Sequence, residues 1–337
     1  MCPAPALDRI AGALIGQCIG DAAGFVVEGA GTARCAAYAG RFRAAPSLAR
    51  VRARFAPGQY SDDSQLAREL MDSIASRGGF VPQDYARRIA ALFGSGRIVG
   101  GGRVTGEAAA RIAAGVHWSQ AGGPAPDAGN GAAMRAAPIG LLYHDDPAAL
   151  AAAAHDQGRI THADPRSGAG AIAIAAAAAM ASTGESIDAA AICARLAGAT
   201  RGLDPVLGTA LDRLPEWLVL APDAAAALIA ELGVKPAYAA RWTGISGFVT
   251  PSVTWSLYAF LRTPEDFVAT VATAIGAGGD TDTTAAMAGA LSGAYLGLRS
   301  LPVDLAAAVH DRGTWGRAAL VDLARRFHAV VAARTTP

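Results

Sequence analysis

The sequence predicts an all-α protein, and three observations carry that prediction. Apolar residues recur at three-to-four-residue spacing in several long segments, the period of a buried helix face. Alternating stretches rich in valine, isoleucine and aromatics, which would signal strands, are nearly absent. The periodic segments are also rich in alanine, which loses no side-chain entropy in a helix.

Taken along the chain, residues 7–24 place Ile10, Leu14 and Cys18 four apart, with Gly12, Gly16 and Gly20 forming a second line. Glycines on such a line let a neighbouring helix approach closely. Residues 65–76 put Leu66, Leu70 and Ile74 on one face, and residues 166–182 are apolar nearly all round, as a helix enclosed by others would be. Near the C-terminus Met287 and Leu291 repeat beside Gly289, Gly293 and Gly297, so this helix and the first are expected at the centre of the fold. Glycine-rich punctuation at 94–106, 120–131 and 244–251 marks candidate ligand edges. No linker, charge run or fixed-period repeat divides the chain, so residues 1–337 are expected to form a single domain.

Composition narrows the function. With 52% hydrophobic residues the chain can bury a large core. A net charge of +1, from 29 basic and 28 acidic residues, provides no global pull toward nucleic acid or an anionic membrane, so neither is an expected partner. The longest apolar run, 168–181, is shorter than the roughly 20 residues that span a bilayer. Cys2, Cys18, Cys35 and Cys193 are scattered and form no C-x-x-C pair, which reads as reduced thiols. The N-terminal segment carries Asp8, Arg9 and Asp21 instead of the unbroken apolar middle of a signal peptide. A cytoplasmic monomer is the expectation.

Two acidic clusters carry the chemistry: Ser61-Asp62-Asp63-Ser64 after Tyr60, and Asp280-Thr281-Asp282-Thr283-Thr284 after Gly278-Gly279. Each stands just before an apolar helical pattern. Taken singly, each reads most simply as helix capping, because hydroxyls and carboxylates satisfy the free N–H groups there and favour the positive end of the dipole. Taken together, four carboxylates with adjacent hydroxyls make a hard-oxygen donor set suited to magnesium or manganese. If the fold brings them together, their repulsion calls for bound cations.

In order along the chain stand Gly12-Ala13-Leu14-Ile15-Gly16 with Gly20-Asp21, Tyr60-Ser61-Asp62-Asp63-Ser64, Gly129-Asn130-Gly131-Ala132-Ala133-Met134-Arg135, Thr161-His162, and Gly278-Gly279-Asp280-Thr281-Asp282-Thr283-Thr284. In these motifs the chain resembles the ADP-ribosylglycohydrolases, over about residues 8–300. The resemblance implies a compact multi-helix orthogonal bundle with a central cleft holding two magnesium or manganese ions. It implies Ser61, Asp62, Asp63, Asp280, Asp282 and Thr283 as their ligands, with Asp62 and Asp282 also counted in the catalytic set. The implied reaction is hydrolysis of the glycosidic bond between ADP-ribose and an acceptor, by orientation and activation of a nucleophile. The expected partner is an ADP-ribosylated protein or another ADP-ribose derivative, with an arginine-linked acceptor the first expectation and serine-linked, O-acetylated or nucleic-acid-linked forms open.

Glu28 stands where the family often has a glutamate over the cleft, which makes it the candidate acid or base; a solvated loop glutamate is the competing role. Gly100, Gly101, Gly102 and Thr105, with Asn130, Gly131, Met134 and Arg135, resemble the loops that contact the ADP-ribose phosphates and distal ribose. For Arg135 a structural fork paired with a nearby carboxylate is the competing role. For His162 a structural hydrogen bond competes with ligand contact. Phe248 and Tyr258 are possible adenine-stacking groups, although aromatics at such spacing more often belong to the core. No G-x-S-x-G elbow, H-E-x-x-H pair or Walker lysine is present, and Lys235 is the only lysine. A binder that keeps the fold without catalysis, and a di-metal phosphoesterase, are the alternatives; the intact carboxylates of both clusters argue against the binder.

Overall fold

The computed structural model describes residues 4–51, 54–233 and 242–335. Among them are sixteen α-helices and three short 3₁₀ segments, with isolated backbone bridges but no strand. None of these helices is long and apolar enough to cross a membrane.

The organising contact is between Leu7–Gly24 and Thr281–Leu296. The glycine lines expected from the sequence interlock: a Cβ on Gly12 would lie 2.3 Å from the Gly293 carbonyl oxygen, one on Gly16 2.4 Å from that of Gly289, and one on Gly24 2.1 Å from that of Thr281. The partners run backward as the first helix runs forward, so the two helices are antiparallel and nearly touch backbone to backbone. The C-terminal end of the first helix therefore meets the N-terminal end of the second, where Asp280 and Asp282 stand.

A third helix, Asp62–Arg77, begins at the same place. The Asp21 carboxylate, fully buried, accepts from Ser61 N (2.8 Å) and Ser64 N (3.0 Å), so the end of the first helix holds the start of the third. Gln17, one turn earlier, donates to the carbonyls of Asp63 (3.0 Å) and Met134 (2.9 Å). These two polar groups, on the part of the helix that is otherwise apolar after its first turn, fix the first acidic cluster and the Asn130 segment against one frame.

Around this core, Pro165–Ser182 is buried on nearly every side, as its composition predicted. Gly140 receives the Ala175 carbonyl at a distance no Cβ would allow, and the Trp255 indole N–H donates to Ala274 O at 2.9 Å. Burying each large core side chain contributes about 1.5–3 kcal/mol. The helix starts are written in the sequence. Asp146, Asp164, Asp188, Asp204 and Asp266 each cap a helix by accepting a backbone N–H, and in three cases a proline follows at the first helical position. Asp280 occupies the same position at Thr281–Leu296 but makes no such cap.

Candidate functional site

A cavity of about 540 Å³, within the size range of small-molecule sites, opens where the three helix ends meet. Glu28, Asp62, Asp63, Asp280, Asp282 and Thr283 line it, joined by Gly100, Gly102 and Thr105 from one edge and Asn130, Gly131, Met134 and His162 from another. The sequence-separated acidic clusters thus share one wall. All three glycine-rich loops reach the cavity, the third through Gly247.

The two clusters are built differently. Ser61 is the N-cap of its helix: its Oγ accepts from Asp63 N (3.4 Å) and donates to Asp63 Oδ2 (2.9 Å). The capping role is therefore real for Ser61, whose hydroxyl is committed to Asp63 and does not reach the cavity. Asp62 N donates to Val99 O at 2.7 Å, tying this cluster to the Gly100 loop. In the second cluster, Gly278 and Gly279 adopt φ of +73° and +87°, which L side chains rarely occupy. The turn brings Asp280 N to Ile245 O (2.8 Å), and the Asp280 carboxylate is held by the Asn130 amide (2.7 Å), which also donates to Ser252 (2.9 Å). Asn130 thus both lines the cavity and positions an acid.

Burial and crowding raise the acids. The Asp62 carboxyl is pushed up to about 7, by burial first and then by the charges of Asp21 and Asp280. Asp63 and Asp282 are raised well above the usual carboxylate range, again by burial first; Asp21 is the next cause for Asp63, and Glu28 for Asp282. Glu28 is therefore an electrostatic neighbour of the second cluster. Its turn is tied down by Gly29 N donating to Gly279 O at 3.1 Å.

His162 lies against the Asn130 turn, where a Cβ on Gly131 would stand 2.6 Å from the imidazole Cε1. Glycine is required there. Arg135 Nη2 donates to Thr161 Oγ1 at 2.7 Å, and Thr161 Oγ1 lies 2.8 Å from His162 Nδ1. The hydroxyl accepts from the guanidinium and keeps both its proton and a second lone pair, so it can bond Nδ1 in either tautomer of the ring. Burial, then the Arg135 charge, pull the imidazole down to about 3, so it is neutral at physiological pH.

Two substrate-contact expectations are corrected. Arg135 is fully buried and does not line the cavity, and its partners are Gln157 (2.9 Å to Oε1, 3.0 Å to the carbonyl) and Thr161, with no carboxylate among them. Gly101 packs against Phe93 and Ile98, away from the cavity. Tyr258 is core, the commoner place for such an aromatic: it stacks on Trp255 at 4.8 Å and donates to Leu220 O, while Phe248, also buried, lies under Arg166. The aromatic face that the cavity does present is Trp242, half-buried, which the sequence reading missed because a lone tryptophan near a loop carries no periodic signal. Asp21 and Gln17 had a usable signal, as polar residues on an apolar glycine-lined helix. Arg103 and Asp127, paired at 3.2 Å on the rim, had none.

The donor chemistry of this wall fits hard divalent cations. Asp63 Oδ1 is buried without a hydrogen-bond partner, as an oxygen reserved for a ligand would be. Among the described residues, however, no three acidic, imidazole or thiol side chains close on one point to grip an ion.

Comparison with known proteins agrees with this geometry. The ADP-ribosylglycohydrolase family profile matches residues 3–337. ADP-ribosylhydrolase ARH3 of Bos taurus is 28% identical over 338 residues, covering 89% of this chain and 88% of its own. The ADP-ribosyl-[dinitrogen reductase] glycohydrolase of Rhodospirillum rubrum is 32% identical over 169 residues, covering 50% of this chain and 55% of its own. A solved structure described as an ADP-ribosylglycohydrolase-related protein complex superposes with a TM-score of 0.69 at 27% identity, covering 96% of this chain and 98% of that one. The chain belongs to the ADP-ribosylglycohydrolase family and is a glycohydrolase.

Proposed function

We propose that the protein removes ADP-ribose from a modified protein side chain, arginine-linked in the first instance, with two magnesium or manganese ions as cofactors. The observation that carries this reading is the cavity wall. Six carboxylates and one guanidinium are among its described lining residues, yet the family's substrate carries a diphosphate. An anionic ligand can enter such a wall only with cations. Asp62, Asp63, Asp280, Asp282 and Thr283 would hold them, with Ser61 acting through Asp63. When bound, they would supply positive charge beside the scissile ribose and Lewis-acid activation of the nucleophile.

The chain's own residues have separable tasks. Asp21 and Asn130 orient the first and second clusters. The backbone turns at Gly100, Gly102 and Gly131 let phosphate or ribose oxygens approach closely. The neutral His162 imidazole offers a polar contact at the Asn130 edge, and Trp242 offers a face for the adenine. In the reaction the bond between the anomeric carbon and the acceptor atom breaks, water oxygen bonds to that carbon, and a water proton passes to the leaving acceptor. Glu28, beside Asp282, is the side chain placed to move that proton. A cationic guanidinium leaving group also suits the acidic wall better than a neutral hydroxyl.

The test incubates the protein with arginine- and serine-ADP-ribosylated peptides, with and without magnesium, and follows free ADP-ribose by mass spectrometry. Magnesium-dependent release from the arginine peptide is expected, absent in the Asp280→Ala, Asp282→Ala variant. Release from the serine peptide alone would overturn the acceptor, and binding of ADP-ribose without any release would overturn the catalytic reading. Glu28→Gln should lower turnover at unchanged metal content; near-normal turnover would remove Glu28 from the mechanism.

A further inference from the structure

Between residues 29 and 61 the chain carries six arginines, at 34, 41, 43, 50, 52 and 54, and no aspartate or glutamate. The near-neutral total hides this, because the rest of the chain holds 23 basic against 28 acidic residues. The stretch begins and ends at the cavity: Glu28 and Gly29 line it on one side, and Asp62 lines it on the other. Its first helix, Thr32–Ala44, starts with Thr32 against the Gly278 turn of the second acidic cluster. Further on, Val51 is buried with Phe25 and Val99, and the Phe55 ring lies 6.1 Å from that of Phe25. Val99 precedes the cavity-lining Gly100. Arg50 and Arg54 therefore flank residues seated on the outer side of the cavity wall.

Arg34, Arg41, Arg43, Arg50 and Arg54 are all exposed, and none forms an ion pair among the described residues, whereas most arginines elsewhere in the protein do. Arg34 and Arg41, seven apart, share one side of their helix. Guanidinium groups without a carboxylate partner, on one excursion that starts and ends at an acidic cavity, give its surroundings a patch of opposite sign, which steers an anionic surface toward a mouth that would otherwise repel it.

We infer that this arginine surface docks the acidic residues of the substrate protein that flank its modified side chain. The inference rests on the proposed hydrolase reading for the identity of the substrate and deepens it by naming the context the enzyme selects. Association is electrostatic and exposed, so it is salt-dependent and expressed in KM, leaving kcat alone.

The test compares the full-length protein with its Arg34→Ser, Arg41→Ser, Arg50→Ser, Arg54→Ser variant on two ADP-ribosylated peptides, one flanked by Asp and Glu and one by Gly and Ser. Wild type is expected to favour the acidic peptide about tenfold in kcat/KM at low salt, with the preference fading as salt rises. The variant should lose the preference while its kcat and its activity on the neutral peptide stay within about twofold. No wild-type preference, or a preference that survives in the variant, overturns the inference. A second arm needs no turnover: fluorescence anisotropy with an unmodified acidic peptide should show binding by wild type and about tenfold weaker binding by the variant. Equal binding by both overturns the docking surface, as does tighter binding of a single-stranded oligonucleotide of the same charge, which would point to nucleic acid. Absence of hydrolysis with arginine-dependent peptide binding retained would instead count against the hydrolase reading.

Discussion

Gly20→Ala tests how the central helix pair positions the acids. A Cβ there would lie 2.0 Å from the Ala285 carbonyl oxygen and 2.6 Å from its carbon, whereas such atoms need at least 3 Å, so the helices must part by about 1 Å at this level. Overpacking of this kind costs about 1–3 kcal/mol, offset in part by the ~1 kcal/mol by which alanine outranks glycine in a helix. The net loss of up to ~2 kcal/mol should lower Tm by up to roughly 3 °C. Ala285 follows Asp282 by three residues, so the same displacement moves the second cluster against the first, and a 1 Å misplacement costs on the order of 100-fold in rate. Gly40→Ala is the control: it too is helical, but nothing lies within 4 Å of its Cβ position, and it should be neutral or slightly stabilising. Differential scanning fluorimetry and release of ADP-ribose read both effects. If Gly20→Ala matches Gly40→Ala in Tm and turnover, the close helix contact does not position the site.

Other perturbations probe separate parts of the argument. Thr161→Val removes the hydroxyl between Arg135 and His162, leaving the imidazole without its Nδ1 partner; KM should rise several-fold with little change in kcat, and long-range ¹⁵N correlation spectra should show the ring's tautomer balance shifted from that of the wild type. Asp84 accepts from Ser73 (2.8 Å), Arg77 (2.6 Å) and Arg88 (2.9 Å); burial alone would raise its carboxyl, but these partners outweigh it and hold it down to about 2. The folded state thus binds fewer protons there than the unfolded chain, so about 1 kcal/mol of stability, discounted for solvent screening, is present above pH 4 and lost as pH falls toward 2. Asp84→Asn should flatten that acid limb in a melt series. The raised cavity acids have the opposite sign: the metal-free folded state binds more protons than the unfolded chain, so their contribution to stability falls as pH rises from about 4 through about 7. Magnesium, which requires the ionised carboxylates, should therefore raise Tm more at pH 8 than at pH 5.5, and the Asp280→Ala, Asp282→Ala variant should lose that difference.

The helices were legible because their signals are local. Periodic Leu66, Leu70 and Ile74, and five capping aspartates, follow from short-range geometry, and the central place of the two glycine-lined helices could be anticipated from their spacing, though not that they run antiparallel. The meeting of the acidic clusters was not local: it depends on Asp21 reaching the backbone of Ser61 and Ser64 forty residues away, and on Asn130 reaching Asp280 across 150. Motif resemblance supplied that meeting where periodicity could not. It also led astray at Arg135, because a motif preserves a residue without saying whether its side chain faces the ligand or the core; here the guanidinium turns inward to Gln157 and acts on the cavity through Thr161 and through its charge on His162.

Charge is the thread that joins these parts. A wall of six carboxylates destabilises itself unless something cationic occupies it, and the fold spends Asp21, Asn130 and the Gly278-Gly279 turn on holding that wall in place. Asp280 shows the trade most directly. It stands at a helix N-cap, where five other aspartates in this chain bond the backbone, and it forgoes that bond while Asn130 holds its carboxylate toward the cavity. A cap omitted costs about 1 kcal/mol, a loss that core packing elsewhere can absorb and that an acid kept available for a ligand explains. By the same reasoning Asn130→Ala should damage activity more than stability, since it frees Asp280 to swing back and cap its own helix. A variant that melts within about 3 °C of wild type, because the regained cap offsets part of the lost Asn130 hydrogen bonds, yet turns over slowly, is the outcome that this account of the wall requires.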